Sequence, residues 1–148
     1  QKFCATGAAR KSRRIIAQLL RRLANKIQGI KPMDQYHIWC DLKPHVTDMV
    51  FVHSVKRFLG AAKDQGLLID FRIMRRKLGL APDGLPEWHV MIDLTGLAQL
   101  DELFGEVATR KPPVEVHHFH VNHLVQNVRF ALTRDFPDDV RVEGEEKF

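Results

Sequence analysis

The 148-residue sequence has little that supports covalent stapling, membrane insertion or phosphate chemistry. It holds two cysteines, Cys4 and Cys40, and no Cys-x-x-Cys, so it cannot build a disulfide framework, and a reducing, cytoplasmic setting is the expectation. No apolar run approaches the roughly 18 residues that a membrane span requires. There is no Gly-rich phosphate loop and no Gly-x-Ser-x-Gly turn, which removes the usual nucleotide-binding and serine-hydrolase readings. Acidic residues are missing altogether from residues 1–33, which carry nine of the 23 Lys/Arg. The other 14 Lys/Arg face all 18 Asp/Glu, a balance of −4. The formal charge of +5 therefore belongs to a basic tail on a mildly acidic domain, and no nucleic-acid partner is expected.

Within that tail, Ile15, Ile16, Leu19, Leu20, Leu23 and Ile27 form one helical stripe, with Arg13, Arg14, Arg21, Arg22 and Lys26 largely off it. A basic amphipathic helix of this kind suits an anionic membrane surface, a partner protein or a targeting presequence. The chain begins with Gln, and Met33 stands where hydrophobic pattern and charge both change. The expected organisation is a basic amphipathic extension over residues 1–32, a folded domain over 33–134 and an acidic tail over 135–148.

From Tyr36 the hydrophobic period becomes two. Tyr36, Ile38, Cys40 and Leu42 alternate with His37, Trp39 and Asp41, which predicts a strand. Asp48 is the expected N-cap of a helix to about Gln65 that buries Phe51, Val55, Phe58, Leu59 and Ala62, with Gly66 at its C-terminal end. A second strand is expected over residues 68–78, a Gly/Pro-rich connection over 79–86, and a third strand in "EWHVMIDL". In that third strand Trp88, Val90, Ile92 and Leu94 oppose His89, Met91 and Asp93. Thr95 is expected to cap a second helix carrying Leu97, Leu100, Phe104 and Val107, ending before Pro112 and Pro113. "VEVHHFHVNH", residues 114–123, holds four of the eight histidines and is assigned as the fourth strand, followed by a short helix over 124–132.

The order β-α-β-β-α-β is the ferredoxin-like plan, an α+β fold with a four-stranded antiparallel sheet and two helices on one face. On this element order, residues 34–132 resemble the dimeric α/β-barrel superfamily, which includes small stress-responsive barrels and cofactor-free monooxygenases. The resemblance implies a homodimer formed by packing two open sheet faces together. A bare face carrying Trp39 and Met91 gives that packing a physical motive.

With the first and third strands central, their more polar faces bring His37, Trp39 and Asp41 beside His89, Met91 and Asp93. If Phe119 and Val121 anchor the fourth strand to the core, His118, His120 and Asn122 join that face. His117 and His123 replace them if a bulge reverses the parity. The candidate catalytic set is then His37, Asp41, His89, Asp93, His118 and His120, with Trp39, Met91 and Asn122 as pocket walls. Imidazoles paired with carboxylates in a partly dry cavity can move protons on a small organic ligand near neutral pH, with no cofactor. An alternative uses His118 and His120, about 7 Å apart on a strand, to hold a divalent transition metal. A third reading is a non-catalytic structural or stress-related dimerisation module. An RNA-recognition domain shares the plan, but the third strand lacks the stacking aromatics it needs. Arg72 to Lys77 read most simply as charges that protect an edge strand.

Overall fold

The computed structural model describes residues 34–110, 114–137 and 142–145. The extension expected over residues 1–32 lies outside these residues, as does part of the acidic tail.

Strand β1 spans Asp34–Leu42, and its alternation sends Tyr36, Ile38, Cys40 and Leu42 to one side. Helix α1 spans Asp48–Asp64 and buries Phe51, Val55, Leu59 and Ala62, a spacing of three and four that forms one stripe. Its N-cap is Thr47, whose hydroxyl accepts from the Val50 N–H at 3.4 Å, one residue before the expected cap. Asp48 instead sits in the first turn, where its carboxylate accepts from Arg75 Nη1 at 2.6 Å. The chain reverses at Gly66, whose φ of 77° favours a residue without Cβ.

Strands β2 (Asp70–Arg75) and β3 (Trp88–Leu94) follow, joined by the expected long connection. Helix α2 spans Leu97–Ala108 with Gly96 at its N-cap. Thr95, the expected cap, instead donates its N–H and its hydroxyl to Gln99 Oε1. The buried stripe runs through Leu100 and Leu103, so Leu97 and Phe104 are left exposed, unlike the stripe expected through both.

The sequence-based expectation is overturned at the C-terminal end. Residues Val114–Leu124 form a helix, α3, and the fourth strand, β4, is Val125–Arg134. His118, Val121 and Asn122 fall at the helical spacing of three and four, and α3 lies against α1. A period of two and a period of three to four were both present in the stretch, and packing against α1 selects the second. In β4 the alternation Val128, Phe130, Leu132 is hidden by a bulge. Trp39 pairs with Arg129 and Asp41 with Gln126, and Asn127 takes a φ of 53°.

The sheet order is β2-β3-β1-β4, with every neighbouring pair antiparallel. The first and third strands are central, as expected. Helices cover one face over a core that includes Cys40, Phe51, Val55, Leu59, Trp88, Val90, Ile92 and Leu94. The opposite face carries no element among the described residues.

Candidate functional site

The register sets what meets on the uncovered face. His37 pairs with Met91, Trp39 with His89 and Gln35 with Asp93, which places the expected β1 and β3 residues side by side. On the flanks, Arg72 pairs with Met91 and Ala131 with His37.

Three rings form the centre. His37 and His89 lie nearly coplanar, 17° apart, with Nδ1 of His37 2.9 Å from Nε2 of His89. The Trp39 indole stacks on His89 with centroids 4.4 Å apart and planes 8° apart. From His37 the hydrogen bonds continue outward. His37 Nε2 lies 2.7 Å from the Thr133 hydroxyl, Thr133 donates to Gln35 Oε1 at 3.1 Å, and Gln35 Nε2 donates to Asp135 Oδ1 at 3.1 Å.

This chain fixes the tautomers. The Thr133 proton is committed to Gln35, so its oxygen accepts, and His37 must carry hydrogen on Nε2. His37 Nδ1 is then an acceptor, and His89 donates to it from Nε2. The proton on neutral His89 is thereby placed on Nε2, leaving Nδ1 with a lone pair. Every donor in the chain points from His89 toward the Asp135 carboxylate. Burial pushes both imidazoles below their ordinary value, the His37 charge adds to this at His89, and Asp93 opposes it at His37. Both rings are neutral near pH 7, as a base at His89 Nδ1 requires.

Asp93 sits on the same face, only 9% exposed. Among the described residues its Oδ1 accepts no hydrogen bond, and Arg72 Nη2 stands 3.7 Å away, close enough to attract but too far to donate well. Burial raises the Asp93 carboxyl, and Arg72 holds it partly down.

Asp41 is engaged elsewhere. Its oxygens accept from the Glu87 N–H at 2.9 Å and from Asn127 Nδ2 at 3.0 Å, fastening the β2–β3 connection and the bulge to β1. Those two hydrogen bonds hold its carboxyl below the usual range. His118, His120 and Asn122 do not join the face, because they lie on α3. His118 tilts against Phe58 with centroids 5.5 Å apart, Asn122 reaches the same helix layer, and His120 is exposed. Residues two apart on a helix point about 200° apart, so the strand geometry behind a His118/His120 metal site is absent. His117 and His123 lie on the same helix, and His123 stacks on Phe119 at 6.0 Å. Among the described residues no cluster of three metal-ligating groups occurs.

Gln35, Thr133 and Asp135 were not foreseen. Gln35 precedes the obvious alternation of β1, while Thr133 lies within, and Asp135 just after, a strand whose pattern the bulge conceals. The signal was "FALTR", where Ala131 and Thr133 alternate with Phe130 and Leu132.

A recess of about 230 Å³ flanks the rings, between Trp39, His89 and the β2–β3 connection. On the helix side, a separate, mainly apolar cavity of about 110 Å³ is lined by Cys40, Phe58, Val121 and Phe130, with His118 and Asn122 as its polar walls.

An antiparallel β2-β3-β1-β4 sheet with helices on one side places the molecule among ferredoxin-like α+β proteins. The chain belongs to DUF6614, a family of unknown function, whose model matches residues 33–148. It is similar in structure to a hypothetical protein of Arabidopsis thaliana. The crystal ensemble of that protein has a TM-score of 0.57 at 9% identity, covering 74% of this chain and 99% of that one. Its solution structure has a TM-score of 0.55 at 9% identity, covering 76% and 94%. A dimeric ferredoxin-like protein of unknown function from Bacteroides fragilis gives a TM-score of 0.49 at 10% identity, covering 71% and 98%. At such identities the Arabidopsis likeness speaks for the fold alone. No curated protein matches the sequence. Among the described residues, no helix is long and apolar enough to cross a membrane.

Proposed function

We propose that the protein is a homodimer in which two uncovered sheet faces pack together and enclose a small organic ligand beside Trp39, with His89 Nδ1 as the base that takes a proton from it. The observation that carries this reading is the one-way hydrogen-bond chain from His89 to Asp135. It orients the His89 ring, fixes its tautomer and spreads the positive charge that appears when Nδ1 is protonated. Trp39 supplies apolar contact for a ligand, and its half-buried place on a face that no described element covers favours a second sheet over water.

In the reaction, a C–H or O–H bond of the ligand breaks toward His89 Nδ1 and the bonding pair stays on the ligand. The resulting imidazolium remains hydrogen-bonded through Nε2 to His37. The test is deuterium uptake from D2O into 1,3-dicarbonyl carbon acids, followed by NMR. The full chain should accelerate exchange, and His89→Gln should lower the rate by about a hundredfold, the usual worth of a general base. Exchange no faster than in buffer with the wild-type chain would reject the base and leave a binding or dimerisation module.

A further inference from the structure

At the hairpin end of the uncovered face, two guanidinium groups share a recess with one carboxylate. The recess holds about 540 Å³, and Asp41, Arg76, Asn127 and Arg129 line it. Asp41 is its only acid among the described residues, and both of its oxygens are already occupied by neutral donors, the Glu87 N–H and the Asn127 amide. Arg76 gives Nη1 to the Leu85 carbonyl at 3.1 Å, and Arg129 forms no ion pair among the described residues. Arginine does not lose its charge at any ordinary pH. The recess therefore carries one positive charge in excess, with guanidinium N–H groups still available.

Two details place this recess against the ligand face. Gly84 has a φ of 72°, which favours a residue without Cβ, and the Arg129 guanidinium rests against this turn, its Nη2 3.5 Å from where a Cβ would stand. Arg129 and His89 are both register partners of Trp39, one on each side. With strands about 4.8 Å apart, their backbones stand roughly 10 Å from each other across the indole. Arg76, Leu85 and Pro86 also line the smaller recess beside Trp39 and His89, so the two recesses adjoin.

We propose that Arg76 and Arg129 form an anion subsite that takes the carboxylate of a small planar organic acid, whose body lies along Trp39 toward His89. This rests on the uncovered face being the ligand site, and it names the class of ligand. The planar guanidinium fork matches a carboxylate in two parallel hydrogen bonds, and the indole supplies a flat apolar wall. The carboxylate anchors one end of the molecule and presents the other to the base.

The test compares 2-naphthoate with 2-naphthamide, nearly isosteric probes that differ in charge, by calorimetric titration of the full chain. The wild type should bind naphthoate at least about tenfold more tightly than naphthamide, as charge-assisted bonds imply. Arg129→Gln and Arg76→Gln should each reduce that ratio, and the double variant should bring it to about one with naphthamide affinity little changed. Both side chains reach solvent, and thermal unfolding followed by circular dichroism will show that the variants fold. Equal affinities in the wild type would overturn the anion subsite and leave the ligand site standing. A preference that survives in the double variant would overturn it as well. Binding of neither probe would overturn the anion subsite, and the exchange measurement then decides the base on its own. If the preference holds while His89→Gln leaves deuterium exchange unchanged, the base assignment fails and the anion subsite stands.

Discussion

Thr133 is the joint of the hydrogen-bonded chain, accepting from His37 and donating to Gln35. Thr133→Val keeps the shape and removes both bonds, so the His37 tautomer loses its anchor. Nitrogen-15 NMR of the imidazoles should then show mixed tautomers, and deuterium exchange should slow by about tenfold, within the range of one positioned hydrogen bond. The same two rings set a pH response. Their folded values lie below the ordinary imidazole value of about 6.5, so on acidification the unfolded chain takes up protons first. The stability they contribute is present above about pH 6.5 and is lost as pH falls toward the folded values. Urea midpoints should drop between about pH 8 and about pH 5.5, and His37→Gln with His89→Gln should flatten that part of the curve. Asp93 carries the opposite sign. Its raised carboxyl contributes stability at low pH that is lost as pH rises through its folded value. Asp93→Asn should therefore raise the urea midpoint at neutral pH, and a lowered midpoint would show that Arg72 outweighs burial.

Helix α3 separates what was legible in the sequence from what was not. Strands β1 and β3 announce themselves because each has one apolar face and one polar face, and the pairing of His37, Trp39, His89 and Asp93 follows from alternation alone. Over residues 114–124 alternation and helical spacing coexist, since imidazoles serve either pattern, and only contact with α1 decides between them. Strand β4 was hidden for the opposite reason. Its bulge at Asn127 inserts a residue into the alternation, and the partners of His37 on that strand went with it. The helix assignment has a sharp test in His120→Pro. An exposed position inside α3 should lose about 3 kcal/mol or more in urea unfolding, because proline removes a helical hydrogen bond and clashes with the preceding turn. His120→Ala should be neutral within about 0.5 kcal/mol. If proline were as harmless as alanine, α3 would not be a helix in solution.

At the scale of the whole molecule, one face of the sheet is buried under three helices and the other carries Trp39, half-buried, at its centre. Packing two such faces would cover the aromatic, histidine-rich centre of that surface. Light scattering should report twice the chain mass for the wild type. Trp39→Lys should shift it to the single-chain mass with the fold retained, since a half-buried side chain on that face supports no part of the helix-side core. A wild type of single-chain mass would remove the enclosed ligand site and leave an open one.

Cys40 gives the molecule an internal clock. Its thiol is 2% exposed, on the helix side of β1, and burial together with Asp41 pushes it up to about 11. An alkylating reagent meets neither a thiolate nor a path to it while the helices rest on the sheet. In a chain carrying Cys4→Ser, the labelling rate therefore counts the moments when that layer parts, with no unfolding by denaturant required. Anything that settles among Cys40, Phe58, Val121 and Phe130 would slow that count in proportion to its occupancy.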